Sequence, residues 1–474
     1  MPFTRRPLNV LPSDHLRAHG SGTALATHGH VTSTEEAMRL LARIAVPLVA
    51  LPLAMAAAQQ PDAGPRPIGL DQAVQLARRN SPVTAQARNS ARVANATVKS
   101  AIAQFLPNLS LNQGASRSGG ATFFQGKLVP YTGDPWSYGK GYSASLELFD
   151  GGQRWLDYRA AQAGLQAADQ NQTVQRFTVA LNVKQQYFAV LAARESEAAA
   201  ERQLEQANEA MAVTEAKIAG GQLSRADSLH SLVAVGTARL ALITARGNIA
   251  TANAALTRLV GAPFEVTAMA ADTAAVPRIA LDSAALIQLA VNGPTVQQAA
   301  ALASASRSSR WAALSPYLPT VYVSYNFGIN YTSRDFVLGG GSQSNHNNLS
   351  FGVSYSLFNN FQRELGVVQA NANADNARVS LDDARLAARE GMVQNLAALR
   401  TAEQTIALQA LQIAAAQADV EAVDLQYRVG AKALVDVLAA QAALVQARAA
   451  LIQARLQART AGAQIEALIG RDLE

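Results

Sequence analysis

The chain has 474 residues, is 49% hydrophobic but only 6% aromatic, and contains no cysteine. Disulfides, thiolate metal sites, a cysteine nucleophile and an amino-terminal lipid-bearing cysteine are thereby excluded. The formal net charge of +6 is modest and sits partly in the leader, and Arg and Glu are interspersed along helical runs as on solvated helix faces, so nucleic acid is not an expected partner.

Residues 1–37 have no clear periodicity and hold His15, His19, His28 and His30, four of the six histidines. Without an ordered context to fix ligands, no metal site is expected there. Met38-Arg39-Leu40-Leu41-Ala42-Arg43, the apolar run Ile44 to Met55 and Ala56-Ala57-Ala58 read as a signal peptide over 38–58. The run is too short, and too broken by Pro47 and Pro52, for a membrane-spanning helix. Residues 1–37 are then expected to be a disordered start-site extension, with the mature chain beginning near Gln59.

Abundant Ala with scattered Gln, Arg, Glu and Leu favours long helices in close approach. One opens at Leu70-Asp71 and runs to about Phe105, interrupted at Asn80-Ser81-Pro82. The second half repeats this with Leu281-Asp282 and Asn292-Gly293-Pro294. Both helices stop before a Leu-Pro step, Leu106-Pro107 and Leu318-Pro319.

After each stop the period changes to two. Val321, Val323, Tyr325, Phe327, Ile329 and Tyr331 alternate with polar or small residues. Beyond a loop with Gly339-Gly340-Gly341, so do Phe351, Val353, Tyr355 and Leu357. The first half gives Leu109 and Leu111, then Tyr142, Ala144, Leu146 and Leu148. These are two hairpins of strands about ten residues long, apolar on one face, as in a transmembrane β-barrel. A half-buried hairpin on a soluble sheet is the other reading; the signal peptide and the lack of other strands favour the barrel. Four strands cannot close one, and open edges are not tolerated in lipid. A trimer would supply about twelve strands.

Matching corners, Asp150-Gly151-Gly152-Gln153-Arg154 and Asn359-Asn360-Phe361-Gln362-Arg363, lead into proline-free helices to Ala219 and Val429, each roughly 100 Å long. Return helices over about 224–260 and 433–469 are half that length. Each would stack end to end with the helix before its hairpin to match one long helix. A heptad stripe, Val435, Leu438, Ala442, Val445, Ala449, Ile452 and Leu456, with Leu229, Val233, Gly236, Leu240 and Ile243 in the first half, predicts a coiled-coil seam. Gly221 pairs with Gly430, Leu223 with Lys432 and Asp227 with Asp436 at one constant offset, so the chain is a duplication of repeats at 59–267 and 268–474. Residues 262–280 are the linker.

No catalytic constellation is present in the sequence. His230 and His346 have no partner at ligand spacing, and Gly339-Gly340-Gly341-Ser342 lacks the Lys-Ser/Thr of a phosphate loop. No enzyme activity, cofactor or metal is expected. Asp227 and Asp436 each fall in the first turn of a helix, where the dipole favours a carboxylate, and Ser224-x-x-Asp227 resembles a capping box. Alternatively, three copies of Asp436 around an axis would form a cation-selecting carboxylate ring with a raised apparent pKa.

The stretch from Tyr427 through Val429-Gly430, Lys432 and Val435-Asp436-Val437-Leu438 resembles the periplasmic-end turn of the TolC family. So does the ordered set of duplication, Leu-Pro stops, corner Gln-Arg pairs and helix lengths over residues 70–470. The resemblance implies an α+β membrane protein: a homotrimer with a long antiparallel helical coiled-coil tunnel and a transmembrane β-barrel shared by three protomers, four strands each. It implies passive export across the outer membrane of a Gram-negative bacterium, drug or metal efflux or type I secretion. The implied partners are a periplasmic adaptor (membrane-fusion) protein, an inner-membrane RND or ABC pump and outer-membrane lipid. Tyr427, Lys432, Asp436 and Asp227 match gate positions, Tyr427 tying down Asp227, and Gly220, Gly221, Val429 and Gly430 match adaptor-docking tips. Lys432 stands where Arg is usual, a weaker hydrogen-bonding fork. Ala439 replaces a second gate carboxylate. The competing reading is a periplasmic coiled-coil scaffold without a lumen.

Overall fold

Proline-free runs of Ala, Leu, Gln and charged residues satisfy their own backbone hydrogen bonds as helix, and each Leu-Pro step ends one. The computed structural model describes residues 64–130, 132–269, 282–337 and 342–472. The expected extension at 1–37, the signal peptide at 38–58, the Gly339-Gly340-Gly341 loop and linker residues 270–280 lie outside the described residues.

The first half opens with a short strand β1 (Arg66–Ile68), then α1 (Leu70–Asn80) and α2 (Pro82–Ala103). Strands β2 (Asn108–Arg117), β3 (Ala121–Phe124), β4 (Lys127–Pro130) and β5 (Trp136–Phe149) follow, then α3 (Gln153–Ala219), α4 (Arg225–Val260) and β6 (Val266–Ala268). The second half runs α5 (Ser283–Val291), α6 (Pro294–Ala312), β7 (Thr320–Ser333), β8 (Ser342–Ser354), α7 (Gln362–Arg428) and α8 (Leu434–Ile469). Helices α3 and α7 have 67 residues each, and α4 and α8 have 36, about 100 Å and about 54 Å at the α-helical rise. One interval separates Gln153 from Gln362, Ala219 from Arg428, Arg225 from Leu434 and Val260 from Ile469. The duplication is therefore regular across the long helices.

The proline steps make the joints of the stacked helices. Asn80 Nδ2 donates to the carbonyls of Val260 and Gly261, both at 3.2 Å, and so caps the end of α4. At the second joint Gly293 lies so close to α8 that a Cβ there would fall 2.3 Å from the Leu468 carbonyl oxygen. Around the first joint Tyr187, Leu191, Leu256 and Val266 are fully buried, worth about 1.5–3 kcal/mol each for the larger side chains. The Tyr187 hydroxyl donates to the Ile68 carbonyl and accepts from the Met269 amide, both at 3.1 Å. It thereby ties α3 to β1 and to the residue after β6, which pair in parallel. Leu286, Met392, Ala458 and Ile465 form the corresponding core of the second half.

Neighbouring helices follow one order. Below the joints α4 packs on α3, α3 on α8 and α8 on α7; toward the sheet α2 packs on α3, α3 on α6 and α6 on α7. The four-stranded antiparallel sheet runs β2-β5-β7-β8. Each tier starts in the first half, ends in the second and leaves both outer elements open. Apolar side chains mark those edges: Leu229, Val233, Leu240 and Ile243 on α4, and Val379, Leu386 and Val393 on α7, all exposed.

This corrects the expected seam. Leu229, Val233, Leu240 and Ile243 lie on the open face, and Val435 is 69% exposed. The seam buried within the chain is Ser231, Ala238 and Ala245 on α4, and Leu434, Val437, Ala440, Leu444 and Ala447 on α8. Of the predicted stripe only Ile452 is buried. These helices are apolar on two faces, and period alone does not say which face meets the chain's own α3.

In the sheet the register aligns Leu111, Tyr142 and Phe327 in one row, Leu109, Ala144, Tyr325 and Leu349 in the next, and Leu146, Val323 and Phe351 in a third. That apolar face is uncovered: Leu111 is 81% exposed and Phe351 70%. The other face carries hydroxyl pairs, Ser110 with Ser143 at 2.6 Å and Ser324 with Ser350 at 3.0 Å. A half-buried soluble hairpin would cover its apolar face. A bulge between Glu147 and Phe149 takes Leu148 out of the expected alternation and lets Phe149 pair with Val321. The expectation of no other strands is also corrected. Besides β1 and β6, β3 and β4 form an antiparallel hairpin inside the first loop, where Gln125-Gly126 supplies two left-handed turn residues.

At the corners the paired arginines do matching work. Asp150 accepts from the Arg154 amide and Nε at 2.9 and 2.7 Å, while Arg154 donates to the Gln104 carbonyl at 3.2 Å and stacks on Phe105. Arg363 donates to the Ser356 carbonyl at 2.9 Å and stacks on Tyr317.

Candidate functional site at the hairpin tips

The α3–α4 and α7–α8 turns have the same construction. The Gly221 amide bonds the Ile218 carbonyl at 2.9 Å and the Gln222 amide reaches Lys217 at 2.9 Å; Gly430 to Tyr427 at 3.1 Å and Ala431 to Gln426 at 2.9 Å repeat the pattern. This satisfies the last helical carbonyls and requires a left-handed residue. Gly221 and Gly430 supply it, with φ of 71° and 82°. Around both a Cβ would meet nothing within 4 Å, so backbone conformation rather than space selects glycine. Gly220, Gly221, Val429 and Gly430 are all exposed at the tips.

Each following helix begins with an aspartate closing on its own N-terminus. Asp227 Oδ2 accepts from the Ser224 amide at 3.0 Å and from Ser224 Oγ at 2.8 Å. These two donors, the hydroxyl first, hold the Asp227 carboxyl below its ordinary value of 3.8. Asp436 Oδ2 accepts from the Ala433 amide at 3.2 Å, and Lys432 Nζ lies 3.9 Å away. Ala433 offers no hydroxyl, so the second cap has one donor fewer. Asp436 and Lys432 are both well exposed, and a pair of that kind contributes little stability.

Tyr427 is the buried member, only 2% exposed. Its hydroxyl lies 3.0 Å from Thr214 Oγ1. Thr214 gives its own proton to the Ala210 carbonyl at 2.8 Å and accepts from Ser231 Oγ at 3.2 Å, so the Tyr427 hydroxyl is the donor to it. The Lys217 ammonium sits 4.0 Å from the ring centroid and also bonds the Tyr427 carbonyl. Leu434 and Val437 bury beside the ring, with Val213 and Leu223 packed against them. First-half and second-half tips are thus locked together by one tyrosine.

The expected tie between Tyr427 and Asp227 is not made within the chain. Asp227 is satisfied by Ser224, and the one proton of Tyr427 goes to Thr214. Lys432, in the turn before α8, lies 3.9 Å from Asp436 of the same tip. Sequence reasoning missed Thr214, Lys217 and Ser231. Their signal was symmetry: Thr214 and Ser231 stand at nearly equal distances from the turn on antiparallel helices, hydroxyls in an Ala-rich run. None of the tip groups forms a catalytic arrangement, and the described residues hold no cluster of three or more metal-ligating side chains.

The outer membrane efflux protein family matches residues 73–262 and 285–471. The chain belongs to this family. Protein CyaE of Bordetella pertussis is 27% identical over 338 residues, 71% of this chain and 70% of that protein. Pyoverdine export outer membrane protein OpmQ of Pseudomonas aeruginosa is 25% identical over 413 residues, 85% of this chain and 83% of its relative. The solved CusC channel superposes with a TM-score of 0.74 at 18% identity, covering 87% of this chain and 96% of CusC. The fold is that of the TolC-like channels. The protein is an outer-membrane channel of an efflux or secretion system, projecting into the periplasm, and its family works with adaptor and inner-membrane pump partners.

Proposed function

We propose that three copies of this chain close into one duct, sharing a barrel of about twelve strands above a helical tunnel whose periplasmic end is its gate. The observation that carries this reading is the repeated open edge: α4 against α7, α2 against α7 and β2 against β8 stand at opposite ends of their tiers. One rotation joining the end of a chain to the start of the next would cover all three at once. It would also cover the apolar stripes on α4 and α7, and leave the exposed apolar sheet face for lipid. A scaffold without a lumen gives that sheet face no role.

In this reading Asp436 rings the constriction and attracts cations, Lys432 and Asp227 hold neighbouring tips together across copies, and Tyr427 fixes the tip hairpin within each copy. Opening swings the α7–α8 hairpin outward. Gly220, Gly221, Val429 and Gly430 meet the adaptor, and an RND or ABC pump selects the cargo, drug, metal or protein. Native mass measurement of detergent-extracted protein tests the assembly. A mass of three chains is expected; a stable single chain, or a complex that is not a multiple of three, overturns it.

A further inference from the structure

Beside the first joint, Arg78 and Arg79 of α1, Arg88 of α2 and Arg176 of α3 line one cavity of about 340 Å³, together with Gln172 and Thr84. No Asp or Glu lines it. Arg78 lies 4.0 Å from Asp472 and over the Phe177 ring, and its Nε is buried without a hydrogen bond. Among the described residues no carboxylate pairs with Arg79, Arg88 or Arg176, whereas Arg154, on the same helix as Arg176, pairs with Asp150.

The duplication supplies an internal control. Aligned on the Pro82 and Pro294 breaks, Arg78, Arg79, Thr84 and Arg88 correspond to Ala290, Val291, Val296 and Ala300. Ala290 and Val296 are buried in a well-packed joint. On α3 and α7, Gln172 corresponds to Leu381, and Arg176 to Arg385, which pairs with Asp382 at 3.2 Å. Of these positions the second half keeps only Arg385, which is paired with Asp382, whereas the first half gathers four arginines around the cavity with a single carboxylate, Asp472, 4.0 Å from Arg78. Four guanidinium groups around one small cavity repel each other, and their planar donors match the oxygens of phosphate and carboxylate.

We propose that this cavity is a binding site for a multivalent oxyanion, a phosphate- or carboxylate-bearing group, present only in the first repeat. Nothing in the channel reading requires it. The test is isothermal titration of the detergent-solubilised full-length oligomer with pyrophosphate and, separately, citrate, at ionic strength matched with chloride. Saturable binding at about one site per chain is expected, weakened about tenfold by Arg88→Ala and again by Arg176→Gln, the loss of one charge-assisted contact each. Both side chains are exposed, so both variants should fold, and unaltered thermal unfolding without probe checks this. Binding of pyrophosphate alone, citrate alone or both supports the site and identifies which oxyanion it takes. Heat no greater than the chloride control, or affinity unchanged in the double variant, overturns it. So does dissociation of the oligomer in the variants without probe binding in the wild type, because a carboxylate of a neighbouring copy would then be the occupant.

Discussion

The Tyr427 hydroxyl donates to Thr214 Oγ1 at 3.0 Å, joining two residues 213 positions apart in sequence at the tip of the molecule. Both are buried, so neither is replaced by water when the bond is removed. Tyr427→Phe should therefore loosen the tip by about 1 kcal/mol, and Thr214→Val by more, since it strands the hydroxyls of Tyr427 and Ser231. The double variant should cost less than the sum. In cells lacking their native channel, both single variants should admit more of a bulky antibiotic than wild type. Equal sensitivity would detach Tyr427 from the gate.

Asp227 gives the tip a pH limit. Its carboxyl is held below the ordinary 3.8 by the Ser224 donors. A depressed carboxylate contributes stability that is present above its unfolded value and lost as pH falls through its folded one. Hydrogen exchange over residues 222–229 should stay protected through the ordinary carboxylate range and open only at more acidic pH, as Asp227 takes up its proton. In Ser224→Ala the opening should move to higher pH; an unchanged profile would show that the serine does not set it.

The open edges make a prediction about assembly. Leu240 faces outward while Ala238 and Ala245 of the same helix pack inside the chain. Leu240→Glu should abolish the oligomer and leave helical content intact, whereas Ala245→Leu should overpack the inner seam and lower thermal stability. Loss of helix in Leu240→Glu would place that side chain in the chain's own core.

The two faces of the sheet should respond in opposite ways. Phe351→Arg puts a charge on the apolar exposed face, costing about 2–4 kcal/mol if that position lies mid-bilayer, and should deplete the protein from the outer-membrane fraction. Ser350→Arg lies on the hydroxyl face and should leave membrane yield unchanged. Equal yields for both would remove the lipid assignment.

Much of this architecture was legible in the sequence because its punctuation is strong. Pro82 and Pro294, Pro107 and Pro319, and Gly221 and Gly430 each mark a boundary the structure keeps to within a few residues. The duplication made each weak signal count twice. What stayed hidden depends on which face meets what. The stripe is visible in the sequence, but not that its α4 part, Leu229, Val233, Leu240 and Ile243, is exposed while Ile452 of its α8 part is buried. The strands Arg66–Ile68 and Val266–Ala268 are too short to show a period, and their pairing is set by the buried Tyr187 hydroxyl. Tyr427 was picked out by its motif, yet its partner Thr214 lies on the other repeat, where no local pattern points.

In the proposed duct, Asp436 carboxylates narrow the passage at the α7–α8 tip. Single-channel conductance in a planar bilayer, wild type beside Asp436→Ala, tests this most directly. A small cation-selective conductance that grows or loses selectivity in the variant is the predicted result. Channels with conductance and selectivity unaltered by the substitution would return Asp436 to its cap on Ala433. No channels from folded, trimeric protein would contradict the duct itself.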